Sequence, residues 1–275
     1  MARSVAILVL LARVSVMSAA PRLAPWRRTA RLAPLDASSS SAAARARVAA
    51  TAAAGARDGP SRPRTALLLT AATGGGHKSA TDALVASLEA EGVRCRVVDV
   101  ISQYTRWPMG QGTGKSYAMM QRNPWLYRIY YAVTQPRLVH RPLLKTVFRE
   151  QKFRREQLGE GGERGGEPAP DVIVSLHGYA QPGLVAAVAG AAKKARASRV
   201  PVVCVLQDLA TADASWFHPK VDAYVAPHAA VARFATKKGV KRERIVELGM
   251  PLRGHLLPAP TVAAARARRL SLIHI

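Results

Sequence analysis

Of the 275 residues, 41 are Lys or Arg and 17 are Asp or Glu, giving a formal net charge of +24, and only two are cysteines, Cys95 and Cys204. Cysteines so few and so far apart exclude a disulfide framework and a zinc cluster, and read as small buried hydrophobes. The excess positive charge calls for an anionic partner, whether nucleic acid, an anionic membrane or a phosphorylated substrate, and the position of the charges along the chain has to separate these.

Residues 1–64 hold 11 Arg, no Lys and two acids, Asp36 and Asp58, among long runs of Ala and Ser that cannot build a core. Arg3, the apolar run VAILVLLA and the small-residue stretch SVMSAAP resemble a secretory signal, too short for a stop-transfer helix. The Arg-rich continuation RRTARLAPLDASSSSAAARARVAA resembles an organelle transit peptide. In tandem they predict a plastid reached through the secretory route, with a plain mitochondrial or chloroplast presequence and a disordered basic arm as the alternatives. Residues 65–275 then carry 30 basic and 15 acidic residues.

The body alternates strand and helix signals. Short apolar runs at Thr65 to Thr70, Arg94 to Val100, Asp171 to Leu176, Pro201 to Leu206, Ala223 to Ala226 and Ile245 to Leu248 predict buried parallel strands. After the first comes TGGGHKS, and then Ala80, Ala83, Leu84, Ser87 and Leu88 form a helical stripe ending at Gly92, a left-handed stop. A second helix, His228 to Lys238, puts Val231, Phe234 and Ala235 on one face, two lysines in its last turn and Gly239 beyond it. This pattern predicts a doubly wound, Rossmann-like α/β fold.

Ligands of such sheets bind beyond the carboxyl ends of the strands, where TGGGHKS falls. Gly74, Gly75 and Gly76 permit a tight turn, and free amides at a helix start favour an anion or a polarised oxygen. The glycines are consecutive, so this is not the G-x-G-x-x-G dinucleotide fingerprint. His77, at a helix N-terminus that disfavours a cation, reads either as a neutral base or as a residue that closes the loop. MGQGTGKS at 109–116 imitates a Walker loop, but Met109 stands where its first glycine belongs and no strand precedes it.

An insertion at about 104–167 is too long for an ordinary crossover loop and predicts one or two helices. Trp125, Tyr127, Tyr130 and Tyr131 beside Arg122 and Arg128 suit a lipid interface. In the following PRLVHRPLLKTVFREQKFRR, a helical projection puts Arg137, Arg141, Lys145, Arg149, Lys152 and Arg155 on one side and Val139, Leu143, Leu144 and Val147 on another, with Pro142 as a candidate kink. A basic amphipathic helix of this kind lies on an anionic bilayer, the alternative being a solvated face over a buried stripe. GEGGERGGEPAP is a low-complexity connector. Further along, His177 follows one strand and Asp208, Thr211, Trp216 and His218 follow the next, polar groups that would converge on the cleft opened by His77, each with a cap or turn role as its alternative. For Asp222 the turn role is the expectation.

In order, LLTAATGGGHKSATDAL, DVISQYTRWP, PDVIVSLHGYAQ, VLQDLATADASWFHPKVDAYVAP and VELGMPLR resemble the N-terminal domain of monogalactosyldiacylglycerol synthases and the processive diacylglycerol glucosyltransferases, over about residues 65–254. The chain is more distantly similar to the peptidoglycan glucosaminyltransferase that acts on a lipid-linked sugar. The resemblance implies the N-terminal half of a GT-B glycosyltransferase, which receives diacylglycerol while a C-terminal domain binds UDP-galactose, with inversion, no metal and no cofactor. It implies His77 as the base, the Gly74, Gly75 and Gly76 loop lining the cleft, and Pro108 and Trp216 toward lipid; strand-end position adds His177 and Asp208 as substrate-lining, and the aromatic and basic pattern adds Trp125, Arg137, Arg141, Lys145 and Arg149 toward lipid. SVHP is usual where this chain has SLHG, and MGQGTGKS replaces the usual sequence after WP. The implied partners are diacylglycerol, a UDP-sugar and anionic lipids, not nucleic acid, at a plastid envelope.

The expected organisation is a leader at 1–64, an acceptor domain at 65–257 with a membrane insertion at about 104–167, and a linker with the start of a UDP-sugar domain at 258–269. Residues 270–275, LSLIHI, equal the translation of a transposon library adapter, so a fragment inactive alone is expected. A glucosyl- or N-acetylglucosaminyltransferase acting on diacylglycerol or a polyprenyl lipid, and a non-enzymatic module binding anionic lipid, are the other functional readings.

Overall fold

Six parallel strands in the order β2-β1-β3-β4-β5-β6 carry the architecture, seen in a computed structural model that describes residues 64–71, 75–106, 122–125, 128–129, 132, 136–160, 169–209 and 212–252. They are β1 (Thr65–Thr70), β2 (Arg94–Asp99), β3 (Val172–Ser175), β4 (Val202–Val205), β5 (Ala223–Ala226) and β6 (Ile245–Glu247). The helices are α1 (Gly75–Ala90), α2 (Val100–Tyr104), α3 (Arg137–Val147), α4 (Glu150–Leu158), α5 (Gln181–Ala195) and α6 (Ala229–Lys237), with single 3-10 turns at Gly178–Ala180, Ala214–Trp216 and Arg242–Arg244.

Alternation along β1 sorts its side chains onto two faces. Ala66 and Leu68 pack with Ala80, Leu84 and Leu88 of α1, while Leu67 and Leu69 join the cluster of Tyr104, Phe153, Leu184 and Val231 from α2, α4, α5 and α6. Both faces are therefore covered, as an all-parallel sheet requires. Gly92 and Gly239 take positive φ, 77° and 85°, where the sequence placed helix stops.

Two aspartates tie the amino ends of the strands. Asp171 accepts from the Thr65 amide at 2.7 Å, and Asp222 accepts from the Val202 amide at 2.7 Å and pairs with Arg199. The structural role expected for Asp222 is the one observed. Burial raises both thiols, Cys95 to about 11 and Cys204 well above its ordinary range, so neither has thiolate character.

The insertion leaves and returns at one point. Thr105 and Phe148 form an antiparallel bridge, the Arg106 amide donates to the Val147 carbonyl at 2.8 Å and the Arg149 amide to the Tyr104 carbonyl at 2.7 Å. The Tyr104 hydroxyl donates to Glu156 at 2.7 Å and accepts from Gln157 at 2.6 Å, fastening α2 to α4. Phe148 is buried and presses on Gly183 so closely that a Cβ there would meet the Phe148 Cβ at 2.3 Å.

This stem corrects the single amphipathic helix expected through Arg155. The chain is helical to Val147, extended at Phe148 and helical again from Glu150, so Arg149, Lys152 and Arg155 do not continue the face begun at Arg137. The cause is tertiary: a buried aromatic and a backbone pairing outweigh local helical periodicity. Pro142 is accommodated within α3.

Candidate active site in the crevice between β1 and β3

Strand order reverses between β1 and β3, since the chain runs from β1 outward to β2 and then returns to β3 on the other flank. Such a switch point opens a crevice beyond the carboxyl ends of the two strands. His77 follows β1 and His177 follows β3, so both enter that crevice, with ring centroids 5.0 Å apart and a 51° tilt.

Each ring is held from behind. In α1, Thr81 donates to the His77 carbonyl at 2.7 Å and hydrogen-bonds the Thr70 hydroxyl at 3.0 Å, locking the helix start to the end of β1. His177 caps the 3-10 turn after β3, its Nδ1 accepting from the Tyr179 amide at 3.4 Å. Trp216 closes the third side, with its centroid 6.4 Å from His77 and 6.3 Å from His177. Gly178 makes that approach possible, because a Cβ there would meet Ser215 Oγ at 2.8 Å and Trp216 Cγ at 3.0 Å.

Asp208 completes the group. The Trp216 indole N–H and the Asp213 amide donate to its carboxylate, which also acts on His77 by charge. Burial raises the Asp208 carboxyl above its ordinary range, opposed by the Trp216 hydrogen bond, the His77 charge and the Asp213 amide, with the Asp213 charge adding to the rise. Burial lowers His77 below 6.5, opposed by the Leu176 carbonyl and by Asp208. Burial, with the His77 charge behind it, lowers His177 to about 3. Both imidazoles are therefore neutral at physiological pH, and a neutral imidazole beside a carboxylate can take a proton.

Gly75 and Gly76 are exposed at the start of α1, with open space where a Cβ would stand; Gly74 lies outside the described residues. Lys78 is exposed and paired with Asp82 at 2.9 Å, across the helix surface. His218 does not join the group: its Nδ1 accepts from the Lys220 amide at 3.2 Å. Pro108, Thr211 and the Walker-like 109–116 lie outside the described residues. Three neighbours were not singled out from the sequence: Tyr179, edge-on to His177 at 5.1 Å, Ser215, and Gln181, whose fully buried amide faces the Cys204 thiol. Nothing local distinguishes these from turn and helix residues.

The lipid-facing set is divided. Trp216 is 5% exposed, so it lines the crevice instead of an outer surface. Trp125 is 62% exposed. On α3, which packs against α5 and the turn bearing Trp216, Arg141 turns half inward and its charge reaches the Tyr224 phenol, correcting its expected place on a lipid-facing basic stripe. Lys145 and Arg149 are exposed, together with Leu138, Val139 and Leu143. Arg137 opens α3. Among the described residues no helix is long and apolar enough to cross a membrane, and no group of three or more His, Cys, Asp or Glu could hold a metal.

Residues 77–252 match the family model described as monogalactosyldiacylglycerol (MGDG) synthase. The chain belongs to the MGDG synthase family. It is similar to the monogalactosyldiacylglycerol synthase, chloroplastic, of Spinacia oleracea, 28% identical over 70% of this chain and 36% of the relative. Monogalactosyldiacylglycerol synthase 1, chloroplastic, of Arabidopsis thaliana is 29% identical over 70% of this chain and 35% of its own length, and synthase 2 is 30% identical over 71% and 40%. The chain thus spans between about a third and two fifths of these MGDG synthases. The family match begins at His77 and takes in His177, Asp208 and Trp216, so the whole ring-walled crevice lies inside it.

Proposed function

We propose that this chain is the acceptor half of an inverting GT-B galactosyltransferase that moves galactose from UDP-galactose to diacylglycerol, the donor being held by a domain beyond the described residues. The observation that carries this is His77, a neutral imidazole in the switch-point crevice, within the segment matched to MGDG synthases.

The step balances as a single displacement. The acceptor hydroxyl gives its proton to His77 as its oxygen forms a bond to the sugar's anomeric carbon. The bond from that carbon to the phosphate oxygen breaks from the opposite face, and UDP leaves with the electron pair. Asp208 steadies the imidazolium that forms, through the same charge that opposes the depression of His77. Amides of the Gly74–Gly76 loop at the start of α1 favour the donor phosphates. His177 and Trp216 line the acceptor side, and Pro108 belongs with the lipid contacts.

The membrane contact is assigned to α3 and its approach. Leu138 is 91% exposed, and Val139 and Leu143 are over 40% exposed beside Lys145, an apolar and basic mixture that suits an anionic lipid surface. The full-length protein should be supplied with labelled UDP-galactose and diacylglycerol in anionic vesicles. Labelled monogalactosyldiacylglycerol is expected, and a Leu138→Glu, Lys145→Glu pair should bind the vesicles at least about tenfold more weakly at low salt, since each basic residue near the surface contributes about 1 kcal/mol. No labelled lipid would sink the transferase reading, leaving a lipid-binding module. Transfer from UDP-glucose alone would redirect the donor, and equal vesicle binding would turn α3 toward protein or solvent.

The cellular place proposed is a plastid membrane held peripherally, supported by the relatives named chloroplastic and by the Arg-rich, acid-poor residues 1–64. Residues 1–64 fused to a fluorescent reporter are expected to deliver it to the plastid of an alga with complex plastids. Cytosolic fluorescence would remove that assignment.

A further inference from the structure

His177 has a fixed hydrogen-bonding polarity. Its Nδ1 accepts from the Tyr179 amide at 3.4 Å, and a peptide N–H can only donate. The neutral ring therefore carries its single proton on Nε2. The backbone is held too, because the Ser175 hydroxyl donates to the His177 carbonyl at 3.1 Å. Among the described residues nothing accepts the Nε2 proton, although the residue is only 8% exposed. That N–H is therefore left for an oxygen of a ligand or of water.

His77, 5.0 Å away between centroids, has the opposite polarity in the proposed reaction, since a base accepts. The charged groups near the pair lie on the His77 side: Asp208 acts directly on His77, Asp213 acts on Asp208, and Lys78 is turned to Asp82. Among the described residues no carboxylate acts on His177, whose ring is faced by His77, Trp216 and Tyr179. One wall of the crevice thus presents an acceptor nitrogen and a donor nitrogen side by side.

We infer that His177 is a specificity-determining residue: its Nε2–H donates to an oxygen on the carbon next to the reacting hydroxyl, so that the two histidines together recognise a vicinal pair of oxygens, as in a glycerol-type acceptor. This rests on the crevice being the acceptor site. Two oxygens on adjacent carbons satisfy both rings at once, whereas a simple long-chain alcohol offers its one oxygen to His77 and leaves the His177 N–H without that partner. Trp216 and Tyr179 supply the apolar sides against which the glycerol carbons lie.

The test is nitrogen-15 NMR of the histidine side chains in the 275-residue chain, alone and with 1,2-dioctanoylglycerol or dodecan-1-ol. His177 is expected as the Nε2–H tautomer from pH 5 to 8, with its Nε2–H resonance moved by dioctanoylglycerol and left in place by dodecanol, while His77 responds to both. His177→Phe should bind dioctanoylglycerol about tenfold more weakly, the scale of one lost hydrogen bond in a desolvated site, and His177→Gln, which keeps an N–H donor, should restore most of that. An Nδ1–H tautomer, an equal response of His177 to both ligands, or a response at His77 alone would overturn the assignment while keeping the acceptor site. If neither histidine responds to either ligand, the acceptor-site reading itself falls, and this inference with it. The wild-type measurement needs no variant, so a Phe variant that fails to fold leaves it decisive.

Discussion

Replacing His77 with alanine in the full-length protein is expected to lower turnover about a hundredfold or more while leaving the fold and vesicle binding intact, the usual scale for removal of a positioned general base. The loss should fall on kcat, because the proton moves in the transition state and the ground-state acceptor is held by other groups. Substitution of Lys78 should cost far less, since that side chain is exposed and tied to Asp82. Asp208→Asn should fall between them: it keeps a partner for the Trp216 indole and removes the charge that favours the imidazolium. The fold should survive His77→Ala because what anchors the loop is the His77 carbonyl, not its ring, through Thr81 and thence Thr70. Near-normal turnover in the variant would return His77 to a loop-closing role and move the search for a base to His177 or Asp208. The structure weighs against His177, whose Nδ1 is occupied by the Tyr179 amide.

Local sequence made the sheet legible, and its limits are as instructive. β1 and β5 begin and end where the apolar runs do, whereas β2 stops a residue early, at Asp99, whose carboxylate accepts from the Ile101 and Ser102 amides at 3.1 and 3.0 Å and so starts α2 at Val100. β3 starts after Asp171 because that carboxylate reaches across to Thr65. Strand-end logic also brought His77, His177 and Asp208 to one crevice, since parallel strands gather their carboxyl ends by construction.

The pairing that stops the helix at Phe148 was not legible. It is made with Thr105 across the insertion, and no periodic pattern records a partner so distant. The inward turn of Arg141 and the burial of Trp216 are of the same kind: a helical projection sorts residues by angle but says nothing of which neighbour the helix meets. Here α3 meets α5 and the turn of Trp216, so part of its basic side faces protein, while Val139 and Leu143 of its apolar side face outward together with Leu138. The insertion consequently joins the outer apolar surface to the crevice wall through one helix.

The same crevice should make the native state acid-sensitive. Folding lowers His177 from an ordinary 6.5 to about 3, because a buried ring cannot take up charge. Above pH 6.5 the ring is neutral in both folded and unfolded chains and contributes no pH dependence. As pH falls below 6.5 the unfolded chain binds a proton that the native chain does not, so stability is lost progressively down to the folded value near 3. At about 1.4 kcal/mol per unit, the loss reaches roughly 3 kcal/mol by pH 4.5, a large share of the total stability of an ordinary domain. His77, also lowered, adds in the same direction, whereas Asp208, raised in the native state, binds its proton earlier there and offsets part of the loss near its own range. Urea unfolding of the 275-residue chain at pH 7 and pH 4.5 should show this decline in wild type and a distinctly shallower one in His177→Gln, which carries no titrating ring. If the two chains decline in parallel, His177 accepts its proton in the folded state, and a cationic ring would then stand in the crevice beside His77.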